Sequence, residues 1–168
     1  TIPTGIPDRL ILIGWRGKTL AQDRQSLKRL DWINRLWREK WEKLAETLTQ
    51  DDCENLIRGL VLVERDLVWS GGSVSGAIWV FHVFERRFSP SHIEVANWVL
   101  QNRGRNLYLP FGGQSQARNY EGYLTERQVA RRRYQDHVDR EIEQKEAKER
   151  REKKRIKDHL ARLEQGKK

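Results

Sequence analysis

The amino-acid sequence predicts an all-α protein: a compact bundle of about four helices, an irregular loop, and a long, protruding, basic C-terminal helix. Three observations predict it. Leu27, Leu30, Ile33, Trp37, Trp41, Leu44 and Leu48 recur every three or four residues, which puts them on one stripe of a helix. The run from Ala77 to Phe84 is apolar at every position except His82. It lies between a cap-like Ser73 and the charged Glu85-Arg86-Arg87, as a helix enclosed on all sides would. Beyond Tyr123 the chain alternates charges four residues apart with few apolar residues, the pattern of a solvated helix.

These signals divide the chain into an irregular N-terminal arm (1–18), a helical core domain (19–104), an irregular loop rich in aromatics and glycine (105–123) and a basic charged helix (124–168). In the arm, Pro3, Gly5, Pro7, Gly14 and Gly17 punctuate a short apolar run, Leu10 to Ile13, which is read as an edge strand or a single helical turn. The stripe that follows predicts one helix from about Thr19 to Leu48, widened at one edge by Trp32 and Leu36, with its tryptophans in the core.

Thr49, followed three residues on by Asp52, is a capping-box-like start. The next helix carries Leu56, Ile57, Leu60, Val61, Leu67 and Val68 inward, and Gly59 permits close backbone approach. Residues 60–84 have a second reading, a β-hairpin around Ser70-Gly71-Gly72-Ser73, against which the caps and flanking charges favour two helices. Ser89 as N-cap and Pro90 in the first turn predict a further helix. It buries Ile93, Ala96, Trp98 or Val99, and Leu100, and ends near Asn102 to Gly104, where glycine takes the left-handed conformation. Thr125 then caps a final helix reaching about Gln165, on the order of 60 Å long at 1.5 Å per residue. Its apolar positions are too sparse for a sustained coiled coil. Glu141–Lys145, Glu146–Arg150 and Glu149–Lys153 are instead spaced to support an isolated helix.

Charge is unevenly placed. The whole chain carries +9, of which residues 124–168 contribute +6 from 16 Lys+Arg and 10 Asp+Glu. A strongly basic segment favours polyanionic partners. One cysteine, Cys53, forms no internal disulfide, and no run approaches the ~18 apolar residues of a membrane span or the h-region of a signal peptide. A cytoplasmic or other reducing intracellular compartment is therefore expected. The absence of Met reads as an initiator removed or as a fragment.

Candidate chemistry is thin. One Cys and four scattered histidines, His82, His92, His137 and His159, do not make a metal site, so no metal or cofactor is expected, and His82 is expected to be either hydrogen-bonded inside the core or half-buried. Ser70 to Ser73 resembles an anion nest before a helix, yet lacks the Gly-Lys-Ser/Thr ending of a phosphate loop and is read as a glycine-rich helix connection. No catalytic residue is assigned; an enzyme would need a pocket around Glu64, Ser73 and His82.

Nucleic acid, RNA favoured over DNA, is the expected partner, contacted through the phosphate backbone by Arg103, Arg105, Arg118, Arg131, Arg132, Arg133, Arg150, Arg151, Lys153, Lys154, Arg155 and Lys157. Tyr108 and Phe111 either stack on unpaired bases or fold back to cover the core as a protein-docking surface. The expected function is that of a non-enzymatic accessory subunit of a ribonucleoprotein or nucleic-acid-processing complex, its helical body docked on protein subunits of the larger assembly. The alternative is a protein–protein adaptor or assembly factor whose charged tail is the partner-binding arm.

Overall fold

The computed structural model describes residues 5–27, 38–67 and 71–167. Among them the chain is all-helical, with a compact core and a long C-terminal helix, and no strand occurs. Two compact units divide at Leu124 and Thr125.

Contrary to the irregular arm that its prolines and glycines suggest, the N-terminal segment forms a helix, α1 (Ile6–Arg16). The supposed breakers sit where a helix tolerates them. Pro7 is in the first turn, where its missing N–H has no helical acceptor, and Gly17 closes the helix in the left-handed conformation (φ 77°) with its N–H on Ile13 O. Gly14 faces helix α4 (Gln50–Asp66), where a Cβ would lie 1.8 Å from the Asn55 carbonyl oxygen. Gly59 answers it, with a Cβ position 1.9 Å from the Leu10 carbonyl oxygen. Two glycines on facing helices thus let the backbones touch, and Leu10 and Ile13 are fully buried beside them.

The single helix expected over Thr19–Leu48 does not run through. Helix α2 (Ala21–Ser26) stops at Leu27, and α3 (Arg38–Thr47) is separate from it. Leu27 is buried although it ends α2, so the apolar stripe marks burial rather than continuity of the helix. Leu30, Trp32, Ile33, Leu36 and Trp37 lie outside the described residues. On α3, Trp41 is fully buried against Gly76, where a Cβ would lie 2.5 Å from the indole ring.

Thr49 caps α4 as expected, its hydroxyl accepting from Asp52 N at 3.2 Å. Leu56, Ile57, Leu60 and Val61 are fully buried, and so are Leu62 and Val63 around the other side. The helix is enclosed by α1, α5 (Gly76–Phe88) and α6 (His92–Asn102). Leu67 is half-buried against the core, while Val68 lies outside the described residues. Residues 50–66 and 76–88 are helices, so the hairpin reading fails for them; α5 is buried at Ala77, Ile78, Val80, Phe81, Val83 and Phe84. From α5, Arg87 reaches back to the end of α3 and donates to the Ala45 and Leu48 carbonyls at 2.6 and 2.8 Å, two acceptors a helix end leaves open.

Two boundaries differ from expectation. The cap of α5 is Ser75, whose hydroxyl accepts from Ala77 N at 3.2 Å, and not Ser73, which lies in a 3-10 turn (Gly72–Val74). Helix α6 begins at His92 rather than at Pro90; it ends at Asn102, within the expected stretch, but the capping Arg103 is in extended backbone and Gly104 is not left-handed. Val95, Ala96, Val99 and Leu100 are buried; Ile93 faces solvent and Trp98 is partly covered, with the Arg58 guanidinium 4.9 Å above its ring. Helix α7 (Tyr120–Gln165) starts five residues before Thr125 and makes up nearly all of the second unit.

Candidate nucleic-acid interface

The segment between α6 and α7 is held by Arg103. Its guanidinium donates to four backbone carbonyls: Leu107 at 3.0 Å, Leu109 at 2.9 Å, Ser115 at 2.8 Å and Ala117 at 2.9 Å. A planar fork of donors suits this task, since each N–H has a fixed direction. Arg103 was expected to meet phosphate; it is engaged in closing its own loop.

Inside the same loop, Asn106 is buried and joins three parts of the chain. Its Nδ2 donates to Glu64 Oε1 at 3.3 Å and to the Gly72 carbonyl at 3.2 Å, while its Oδ1 accepts from Tyr108 N at 3.1 Å. Glu64 is a buried carboxylate on α4 that accepts from the Ser75 hydroxyl at 3.0 Å and from Gly71 N. The glycine turn that resembles an anion nest in sequence is therefore occupied by the protein's own carboxylate, in keeping with a helix connection. Of the three residues an enzyme pocket would need, Glu64 is committed to this network, Ser73 is exposed, and His82 contacts a different partner. His82 is half-buried and donates from Nε2 to the Phe111 carbonyl at 3.1 Å.

Tyr108 and Phe111 fold back onto the core with the fully covered Leu109. Phe111 lies edge-on to Phe81 at 5.6 Å between centroids and is stacked face to face with Tyr123 at 3.5 Å, the planes 5° apart. The face on which a base would stack is filled by a tyrosine. Near it, His92 is buried with Nε2 3.4 Å from the Tyr120 hydroxyl and 3.7 Å from Glu85 Oε2. Among the described residues no group of three His, Cys, Asp or Glu is placed to hold a metal ion. Cys53 is buried, and loss of solvation pushes its thiol up to about 12, far from the range of a reactive thiolate. Asp66 moves the other way, held below the ordinary carboxylate range first by its hydrogen bond from Arg65 and also by one from Thr19.

The remaining basic positions are accessible. Arg105 and Arg118 are exposed, and so are Arg131, Arg132, Arg133, Arg150, Arg151, Lys153, Lys154, Arg155 and Lys157 on α7. No side chain of α7 is buried. Over residues 128–167 the ion pairs are His137–Glu141 at 3.3 Å and Glu152–Arg155 at 3.8 Å; the expected Glu141–Lys145, Glu146–Arg150 and Glu149–Lys153 pairs do not close. At about 100° per residue, Arg150, Lys154 and Lys157 fall on one side of the helix, with Arg151 adjoining them. The body also exposes apolar surface: Trp15 is 74% exposed and, with Leu12 one turn before it, marks the face of α1 turned away from α4.

Glu64, Ser75 and Asn106 form one buried polar network, apart from the buried Asp23, His92 and Ser115, and of its three members the sequence singles out only Glu64. The available signal was a serine directly before the glycine that starts α5. No helix of the described residues is long and apolar enough to cross a membrane. In comparisons with known proteins, no family model, curated protein or solved structure matches the chain.

Proposed function

We propose that the protein is a non-enzymatic accessory component of a nucleic-acid complex, in which the C-terminal helix lies against phosphate backbone and the helical body docks on a protein subunit. The observation that carries this reading is the cluster Arg150, Arg151, Lys153, Lys154, Arg155 and Lys157, six cations within eight residues of a helix with no buried side chain. Arg131, Arg132 and Arg133 form a second cluster on the same helix. Such clusters gain affinity by releasing counterions from the polyanion, a gain independent of base sequence.

The 103–119 loop contributes less than its sequence suggests. With Arg103 closing the loop and Phe111 stacked on Tyr123, neither serves nucleic acid, leaving Arg105 and Arg118 as flanking contacts. Phosphate contacts alone do not distinguish RNA from DNA. Support for a protein-facing body comes from Trp15 and Leu12, an exposed aromatic and aliphatic pair of the kind enriched at interfaces.

The test exchanges Arg150, Arg151, Lys153, Lys154 and Arg155 for Glu in the full chain. Affinity for duplex and single-stranded nucleic acid should fall by at least about 100-fold at low salt, with the melting temperature of the body unchanged. Undiminished binding would refute the assignment.

A further inference from the structure

The C-terminal helix has a second face. Tyr134, Val138, Ile142, Ile156, Leu160 and Leu163 all fall within about 40° of one line along α7 at 100° per residue. Ile142, Ile156, Leu160 and Leu163 are each about half exposed, and nothing in their own unit covers them. The two apolar blocks are separated by a polar middle, where Lys145, Glu149 and Glu152 occupy the same line. That interruption is why the helix does not read as a sustained coiled coil.

Charge along α7 is also divided into blocks. Residues 134–149 carry three Lys or Arg and six Asp or Glu, net −3, whereas residues 150–165 carry seven and three, net +4. We propose that this face pairs antiparallel with α7 of a second copy of the chain, about a two-fold axis at Glu149. In that register Val138 meets Leu160, Ile142 meets Ile156 and Tyr134 meets Leu163, so each apolar block covers the other. The same register lays the acidic block on the basic block, twice by symmetry.

Individual flanking charges agree with it. Like flanks face each other across an antiparallel pair. On one flank Asp139 comes beside Lys157 and Glu146 beside Lys153 of the second copy. On the other, Glu141 comes beside Arg155 and Lys148 beside Glu152. A parallel, in-register pair would instead set −3 against −3 and +4 against +4. Like charges remain in the middle of the seam, Glu149 against its own copy and Lys145 opposite Lys153, which makes the pair reversible. Arg132, Arg133, Arg150, Arg151 and Lys154 point away from the seam and remain open to phosphate.

Cross-linking in the full chain without nucleic acid tests the proposal independently of the nucleic-acid reading. Val138→Cys and Leu160→Cys chains, mixed and oxidised, should form a disulfide-linked mixed dimer, while each variant alone should link to itself far less. Wild type, whose only thiol is the buried Cys53, is the control. Sedimentation should show a monomer–dimer equilibrium tightened by Glu149→Leu and weakened by at least about tenfold by Leu160→Glu. Preferential linking of Leu160→Cys to itself would overturn the register. A chain that remains monomeric up to millimolar concentration, Glu149→Leu included, would overturn the interface.

Discussion

Phe111 and Tyr123 are stacked at 3.5 Å between ring centroids with their planes 5° apart, and this pairing covers one face of the half-buried Phe111 ring. Phe111 also meets Phe81 of the core edge-on. Phe111→Ala should therefore cost about 3 kcal/mol of stability in a denaturant titration, since it opens a cavity and loses both ring contacts. Nucleic-acid affinity of the folded variant should stay within about twofold of wild type. A large loss of affinity with little loss of stability would restore Phe111 as a base-stacking residue.

Arg103 makes four hydrogen bonds to carbonyls of a loop with no regular secondary structure. Arg103→Lys keeps the charge but not the fork. It should destabilise the fold by about 2 kcal/mol, and Arg103→Ala by about 3 kcal/mol or more, because the carbonyls lose their donors. Hydrogen exchange should rise first at Leu109, Gly112 and Ser115, whose amides are bonded within the same loop.

Gly59 and Gly14 set the distance between α1 and α4. Gly59→Ala places a methyl group 1.9 Å from the Leu10 carbonyl oxygen, and Gly14→Ala places one 1.8 Å from that of Asn55. Both neighbours are backbone and cannot rotate away. Each substitution should cost about 3 kcal/mol or more, despite the gain in helix propensity that alanine brings. Gly113→Ala, where no atom lies within 4 Å, is the matched control and should be near neutral.

Cys53 reports unfolding. Burial favours its neutral form and raises the thiol to about 12, so the thiolate is scarce at neutral and mildly alkaline pH in the folded chain. Alkylation at pH 8 should be slow in native conditions and should accelerate in step with denaturant unfolding. Rapid labelling of the native protein would place the thiol at the surface. Asp66 gives the opposite sign of pH dependence. Its folded carboxyl titrates below the unfolded one, so its contribution is present above the unfolded value and is lost as pH falls through the folded one.

What the sequence disclosed and what it hid follow from the range of the interactions involved. The Thr49 cap, the enclosed runs in α4 and α5 and the charged α7 depend on neighbours within a turn or two, and periodicity reports them. Gly14 and Pro7 were misleading, because a glycine that admits a facing helix and one that breaks its own helix look alike until the partner is known. Asn106 was hidden for a similar reason: its partners Glu64 and Gly72 lie 42 and 34 residues away. Of the candidate site, the basic clusters on α7 were legible since exposed charge needs no partner to be recognised. Arg103 was not, because its four carbonyls are brought together only by the loop it closes.

The most direct measurement is the salt dependence of binding of the full chain to duplex and single-stranded nucleic acid. If the cluster from Arg150 to Lys157 in the monomeric chain neutralises about six phosphates, log affinity for duplex should fall linearly with log salt at a slope near −5. The five-residue exchange to Glu should remove most of that slope. Binding that is absent at low salt, or whose slope is unchanged by the exchange, would contradict the account.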